Sequence, residues 1–523
     1  MNRHLRLTRR RFLVTTTALA ATAVVAGQGL APAARAATRG GTLRISVDQA
    51  PGKLNPLLHR VNPEYLLGEM LYSGLTRLGD DMAPEPDLAE SWSSSDDLTE
   101  WTFKLRENAA FHDGSPVTAD DVVATFEAIL DPKTGSPGRK NVGPIASLSA
   151  AGPHSVVIKT SGAYADLPVS VAYTNAKIVP AKIAKGELAR LDQEAIGTGP
   201  FKLVSYEPER LVVLERNPHY FLPERPYLDR VEVVVYPDAT AESTALIAGD
   251  TDLMIRAGQS DFPRLKEAAG VEALRTPSGQ FLDLVLGCDQ KPFDDIRVRQ
   301  ALALTLDRDA LVDFIAEGYG TPGEDTPINS AYRFFDKLPA KKPDIAKAKQ
   351  LLAEAGHTEG LKLTLIASDK PAMRTQLGVA VREMAKAAGF DIEVQTMAHS
   401  TYLDQVWKKG PFYVGFYNMQ PSADSIFSLL YTSDAPWNET KWNNKDFDSL
   451  IQQARQTGDV PKRKALYAKA QELMSAEVPS AIPVFFDLLA ARRSYVEGFF
   501  LHPRGAVFNI DKVSLGAGAP KRG

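Results

Sequence analysis

Residues 344–424 read DIAKAKQLLAEAGHTEGLKLTLIASDKPAMRTQLGVAVREMAKAAGFDIEVQTMAHSTYLDQVWKKGPFYVGFYNMQPSAD. Their apolar spacing switches repeatedly between the helical period and the strand period. Asp344 is placed to cap a helix with Ile345, Ala348, Leu351 and Leu352 turned inward, and Gly356 stops it. Leu361, Leu363 and Leu365 recur at every second position, as one face of a strand requires. A helix is predicted over 372–388, closed by Gly389, then a strand around Ile392 and Val394, a helix over 401–408 and a third strand over 412–417. This is a βαβαβ succession, and right-handed crossovers leave such strands parallel. Ligands of open α/β sheets sit beyond the carboxyl ends of the strands, so the loops 368–374, 397–402 and 418–424 are the first places to look for a site.

Outward from this segment the pattern continues. Residues 40–47 alternate as a strand and run into a polar loop over 48–56, and 101–106 alternate large apolar with polar side chains. Thr118 opens a helix with Asp121 as its capping-box partner and Val122, Phe126, Ile129 and Leu130 on one face. Strands are predicted over 155–159, 199–207, 210–215 and 231–236, and helices over 67–75, 296–306 and 308–317, the last opened by Asp307. No unit of solenoid or propeller length repeats. Residues 516–523 read as a loose tail.

The amino terminus is not read as part of the fold. A basic stretch containing Thr8-Arg9-Arg10-Arg11-Phe12-Leu13 precedes an uncharged Ala/Val/Thr-rich run, and Ala34-Arg35-Ala36 supplies a small-x-small cleavage site. Residues 1–36 are therefore expected to be a twin-arginine type signal peptide, cleaved on export to the periplasm. Without this segment the chain still exceeds what one core usually supports, so two or three domains are expected. Cys288 is the single cysteine, so no intrachain disulfide is possible and stability rests on core burial. A net charge of -4 over 523 residues lacks the basic balance of a nucleic-acid binder.

Catalytic signatures are missing. The eight histidines have no metal-ligand spacing, and neither HExxH, CxxC nor GxSxG occurs. No phosphate loop ending in Gly-Lys-Ser/Thr is present, so any ATP-driven step belongs to another polypeptide. No resident cofactor or metal and no enzymatic activity is expected.

Residues 101–130, WTFKLRENAAFHDGSPVTADDVVATFEAIL, strongly resemble the dipeptide, oligopeptide and nickel class of ABC substrate-binding proteins, the bacterial extracellular solute-binding proteins of family 5. The resemblance extends over LYSGLTRLGDDMAPEPDLAESW (71–92), GTGPFKLVSYEPERLVVLERNPHYF (197–221), PFDDIRVRQALALTLDRDAL (292–311) and WNNKDFDSLIQQA (442–454), in the family's order. It implies an α/β, two-lobed fold of the type II periplasmic-binding-protein kind (cluster C), with an additional subdomain in the first lobe. Lobe I would comprise 40–82, 195–280 and 483–523, the inserted subdomain 83–194, and lobe II 281–482. The chain would cross between lobes near 276–286 and 479–486. The implied function is capture of a peptide or peptide-like ligand between the lobes and delivery to a membrane ABC permease with separate ATPase subunits. The binding protein itself would be a monomer. A metal-chelate or haem carrier of the same fold, with His399 and His502 turned into the cleft, and an exported enzyme remain as alternatives.

Peptide-binding relatives hold the ligand's amino end with an aspartate in the loop matching 418–424. Here that loop reads Asn418-Met419-Gln420-Pro421-Ser422-Ala423-Asp424, which departs from the family's Trp-x-x-Asp-x-x-Asp-Pro pattern. Gln420 falls near the amine-binding position, and Asp424 is either a displaced ligand group or a helix N-cap. Arg374 matches a carboxylate-binding arginine of some relatives, with a surface arginine as the other reading. Tyr417, Trp437 and Trp442 form an aromatic set within and after that loop, with Asn438 between them and Asn418 in the loop itself, the Trp437 ring belonging either to the cleft or to the core. His399 and Tyr402 come from the loop after the second parallel strand. Asp48, Gln49 and Asn55 would face this set from lobe I.

Overall fold

The computed structural model describes residues 38–522, so the signal-peptide reading of 1–36 lies outside the described residues. An 11-stranded sheet organises the chain. In chain order its strands are β1 (Thr42–Val47), β2 (Phe201–Glu207), β3 (Leu211–Arg216), β4 (Arg230–Val235), β5 (Leu253–Met254), β6 (Val271–Leu286), β7 (Gly320–Pro322), β8 (Leu361–Ser368), β9 (Phe390–Met397), β10 (Phe412–Tyr417) and β11 (Ser480–Arg493). Their spatial order is β9-β8-β10-β6-β11-β5-β1-β4-β3-β2, with β7 against β11.

The two long strands join the halves of this sheet. β6 and β11 pair antiparallel from Val271 opposite Arg493 to Val285 opposite Ser480, and the register is interrupted between Pro277 and Gln280. Arg492 and Ala491 at one end of β11 pair with β5, whereas Phe281 to Leu286 of β6 pair with β10. Both segments expected to cross between lobes lie in these two strands.

On the β1 side, α1 (Asn62–Leu71), α2 (Ala119–Leu130) and α3 (Ala239–Ala248) are the main helices. α1 begins and ends earlier than the expected 67–75. Pro63 suits the first turn, Glu64 Oε2 accepts the Arg60 N–H at 2.7 Å, and Tyr72 is already extended. α2 has the expected capping box, with Thr118 N–H donating to Asp121 Oδ2 at 2.8 Å. It packs with a separate antiparallel sheet whose spatial order is Ala89–Ser94, Glu100–Leu105, Ser155–Thr160 and Ile145–Ala150. Leu43, Ile45, Phe103, Phe126 and Val231 share one continuous apolar core.

On the β8 side, α4 (Ile345–Glu354), α5 (Met373–Lys386) and α6 (His399–Gln405) alternate with the strands. β8 lies parallel to β9 and to β10, as the βαβαβ reading predicts. Asp344 accepts the Lys347 N–H at 2.8 Å, and Gly356 and Gly389 take the left-handed conformation at φ +90° and +101° that ends each helix cleanly. Leu365, Leu377, Ile392 and Val414 form the second core.

The tail expected to be loose is anchored. Arg522 pairs with the fully buried Asp252 and donates to the Gly249 carbonyl at 3.0 Å. A buried carboxylate stabilises its countercharge in place.

Candidate functional site

β1, β5, β10 and the middle of β6 and β11 deliver their ends or flanking loops to one cavity of ≈ 330 Å³. Val47, Asp48 and Gln49 enter at the carboxyl end of β1, Ile255 and Arg256 after β5, and Asn418, Met419 and Gln420 after β10. Gln280 reaches it from the register interruption of β6, and Leu488 from β11. Arg60 and Tyr65 contribute from the start of α1, Glu242 from α3, and Arg504 from a turn near the carboxyl terminus.

Two wall segments are held by hydrogen bonds. Gln280 Nε2 donates to Asn418 Oδ1 at 2.8 Å, and the Gln420 backbone N–H donates to the Tyr332 hydroxyl at 3.0 Å. This side of the cavity is polar and uncharged. The charged lining residues, Arg60, Arg256, Arg504, Asp48 and Glu242, come from other elements. Burial, reinforced by the negative charge of Asp48, pushes the Glu242 carboxyl up to about 8 despite a hydrogen bond from Ser46. Burial likewise pushes the Tyr65 hydroxyl up to about 12.

The Arg504 guanidinium lies 4.9 Å over the Tyr173 ring, and its Nε and Nη1 are buried without a hydrogen-bond partner. Its turn is fixed by Gly505 at φ +67°, where an added Cβ would meet Leu488 Cδ1 at 2.9 Å. Glycine is the residue that allows both that conformation and that approach.

Four of the expected ligand contacts, Asp48, Gln49, Asn418 and Gln420, line the cavity. The others are placed elsewhere. Asn55 is buried and accepts the Leu57 N–H at 3.1 Å as the cap of a short 3-10 turn. Arg374 is only 8% exposed, with its guanidinium 5.2 Å from the Tyr402 ring. It is neither a surface side chain nor part of the cavity wall, and its positive charge offsets two interior acids. Burial pushes Asp283 up to about 6 and Glu439 up to about 8, and Arg374 opposes both shifts. The Tyr402 hydroxyl donates to the Val414 carbonyl at 2.9 Å, and His399 Nδ1 lies 2.9 Å from Ser368 Oγ.

Asp424 is ion-paired with Arg455 at 2.7 Å, and Ser422, not Asp424, caps the helix Ala423–Leu430. Trp437 packs edge-on to Trp407 at 5.5 Å and near Tyr417 at 6.4 Å, within an aromatic cluster outside the cavity lining. Asn438 is buried, donating to the Trp442 carbonyl at 2.8 Å. His502 also lies outside the lining, its Nε2 3.0 Å from the Gly79 carbonyl oxygen.

Glu242, Arg504, Arg60 and Arg256 were not anticipated from sequence. Glu242 sits in an unremarkable first turn of a helix, and the only local hint at Arg504 is its position between Pro503 and Gly505. Among the described residues no group of three or more His, Cys, Asp or Glu could hold a metal ion, and no helix is long and apolar enough to cross a membrane.

The dipeptide-binding protein DppE of Bacillus subtilis is 27% identical over 498 residues, covering 89% of this chain and 90% of its own. The probable D,D-dipeptide-binding periplasmic protein DdpA of Escherichia coli is 27% identical over 501 residues, covering 92% and 96%. The crystal structure of the ABC transporter substrate-binding protein CtaP from Listeria monocytogenes superposes with a TM-score of 0.79 at 26% identity, over 91% of this chain and 100% of that one. The fold is thus the two-lobed α/β fold of type II periplasmic binding proteins. Residues 83–441 match the family model of the bacterial extracellular solute-binding proteins, family 5, and the chain belongs to that family.

Proposed function

We propose that this protein is the extracytoplasmic solute-binding component of an ABC importer, which holds a peptide or peptide-like ligand in the cavity between its lobes and presents it to the permease. The observation that carries this reading is the composition of the cavity wall. Asp48 follows β1 and Glu242 lies on α3, which packs on β1, Arg504 comes from a carboxyl-terminal turn, and Asn418 and Gln420 follow β10. A ligand touching the first three residues and the last two binds more tightly when they approach, so it shifts the population toward the closed form. In this reading lobe I is 40–82, 195–280 and 483–523 with the insertion 83–194, lobe II is 281–482, and β6 and β11 supply the hinge.

The names of the curated relatives DppE and DdpA support a dipeptide-scale ligand. A cavity of ≈ 330 Å³ stands near the lower end of the ~300–1,000 Å³ usual for ligand pockets. Residues 1–36, read as an export signal, support a periplasmic site of action. The protein would act as a monomer without catalysis, and ATP would be hydrolysed by separate subunits.

The test is thermal melting of the full chain against a peptide and metabolite library and against extract of its host. A ligand at about a hundred times its Kd adds roughly 2.7 kcal/mol to stability and raises Tm accordingly. Identical melting across every addition would refute the reading.

A further inference from the structure

A buried carboxyl, that of Glu242, and a half-buried guanidinium, that of Arg504, line the cavity without being paired to each other. Glu242 is 1% exposed, and its Oε1 is buried with no hydrogen-bond partner, although the carboxyl also accepts a hydrogen bond from Ser46. Arg504 buries Nε and Nη1 with no partner, its guanidinium resting against Tyr173. Among the described residues neither takes part in a salt bridge. Buried polar atoms left without a partner are unfavourable, and a protein tolerates them where a ligand completes the pairing.

The rest of the lining determines which ligand atoms belong here. Near the position where the family resemblance implies an aspartate for the amine, Gln420 stands in the same loop as Asn418, and Gln280 completes an uncharged amide surface. A neutral amide attracts an ammonium much less than a carboxylate does. The acids that line this cavity are Glu242 and its neighbour Asp48.

We propose that Glu242, supported by Asp48, accepts the ammonium of a short unblocked peptide, and that Arg504 takes its carboxylate as a two-pronged donor. Both ends of the zwitterion would then be anchored on the Asp48 side of the cavity, and the amides of Gln280, Asn418 and Gln420 would close over the peptide bond. The recognition is charge-assisted at both termini, with the amine site moved off the loop that the family pattern uses. This inference rests on the solute-binding reading and names its ligand class.

The test uses the full chain and three pools made from one hydrolysate of di- and tripeptides: unblocked, N-acetylated, and carboxyl-methylated. Calorimetric titration should show the unblocked pool binding, with each blocked pool weaker by roughly 10 to 100-fold, the range expected for losing one charge-assisted contact. Glu242→Gln should abolish the preference over the acetylated pool and leave the preference over the methylated one. Arg504→Gln should do the reverse. Both variants keep the size of the side chain, and their melting curves check the fold. Equal binding of the three pools overturns the proposal. So does binding of a component of cell extract with no response to the unblocked pool, which leaves the solute-binding reading intact. No response to pools or extract overturns both.

Discussion

The Nδ1 atom of His502 accepts the backbone N–H of Arg504 at 3.2 Å. The other ring nitrogen, Nε2, lies 3.0 Å from the Gly79 carbonyl oxygen, so the tautomer protonated at Nε2 satisfies both contacts. The ring is 1% exposed, and burial pushes its pKa down to about 4, which keeps it neutral at physiological pH. A neutral imidazole thereby sets the peptide plane from which the Arg504 side chain departs. His502→Leu leaves the Arg504 N–H without its acceptor, at a cost of about 1–3 kcal/mol, whereas the Gly79 carbonyl keeps the Met82 N–H at 2.9 Å. The expected outcome is a lower Tm together with weaker binding of short peptides, measured by melting and titration. Unchanged binding in a destabilised variant would show that Arg504 is placed by other contacts.

Stability should peak in mildly acidic solution. Burial lowers His59 to about 3 and His502 to about 4 from 6.5, so their contribution is complete above pH 6.5 and declines as the pH falls below it. Burial raises Glu242 and Glu439 to about 8 from 4.5, and Asp283 to about 6 from 3.8. Groups raised in this way add stability as the pH falls through their folded values. The two trends oppose each other below about pH 6.5, the glutamates ceasing to contribute below about 4.5 and Asp283 below about 3.8, whereas above 6.5 only the raised acids act. Tm measured from pH 4 to 9 should therefore be highest between about pH 4.5 and 6.5, falling on both sides. A Tm that climbs steadily to pH 9 would contradict the assignment of Glu242 and Glu439 as raised.

Asp325 ties the segment after β7 to β11. Its carboxylate accepts both Nη groups of Arg308 at 2.9 Å, Lys341 Nζ at 2.7 Å and the Ile482 backbone N–H at 2.9 Å. Burial opposes its charge, but Arg308 and Lys341 outweigh that and hold the carboxyl below its usual range. Asp325→Asn leaves the buried Arg308 without its countercharge, which costs about 3–5 kcal/mol where a buried pair is broken. Denaturant unfolding should show the loss. Because the network lies outside the cavity lining, affinity in the folded fraction should be unchanged.

The legible parts of this molecule are those specified by neighbours in sequence. The βαβαβ order could be read because Leu361, Leu363 and Leu365 alternate, Asp344 caps, and Gly356 and Gly389 stop their helices. Asp48, Gln49, Asn418 and Gln420 were recognisable as cavity residues because each follows the carboxyl end of a strand. Glu242 and Arg504 were not, since they reach the cavity from a helix and from a carboxyl-terminal turn, whose placement depends on non-local packing that no local periodicity encodes. Arg374 misled for a related reason. Its place after β8 suggested a ligand contact, but α5 turns it onto Tyr402, where it offsets the charges of Asp283 and Glu439.

Binding of an unblocked peptide should strengthen with pH and release a proton. In the empty cavity the Glu242 carboxyl, at about 8, is largely protonated at pH 7. Burial is the main cause, opposed by the Ser46 hydroxyl, which favours the charged form, and reinforced by Asp48, which disfavours it. An ammonium beside Oε1 favours the carboxylate, so binding shifts its pKa downward and expels the proton. Affinity should therefore rise by roughly tenfold per pH unit at most up to about pH 8, and fall above it as the peptide's own α-amino group, of ordinary pKa about 7.7–8.0, loses its proton. Titrations at pH 7 in buffers of different ionisation enthalpy should give heats that differ by up to about one proton's worth. Glu242→Gln removes the titrating carboxyl, so its affinity should not rise up to about pH 8. A wild-type profile equally flat from about pH 6 to 8 would mean that the ligand's cation does not meet Glu242.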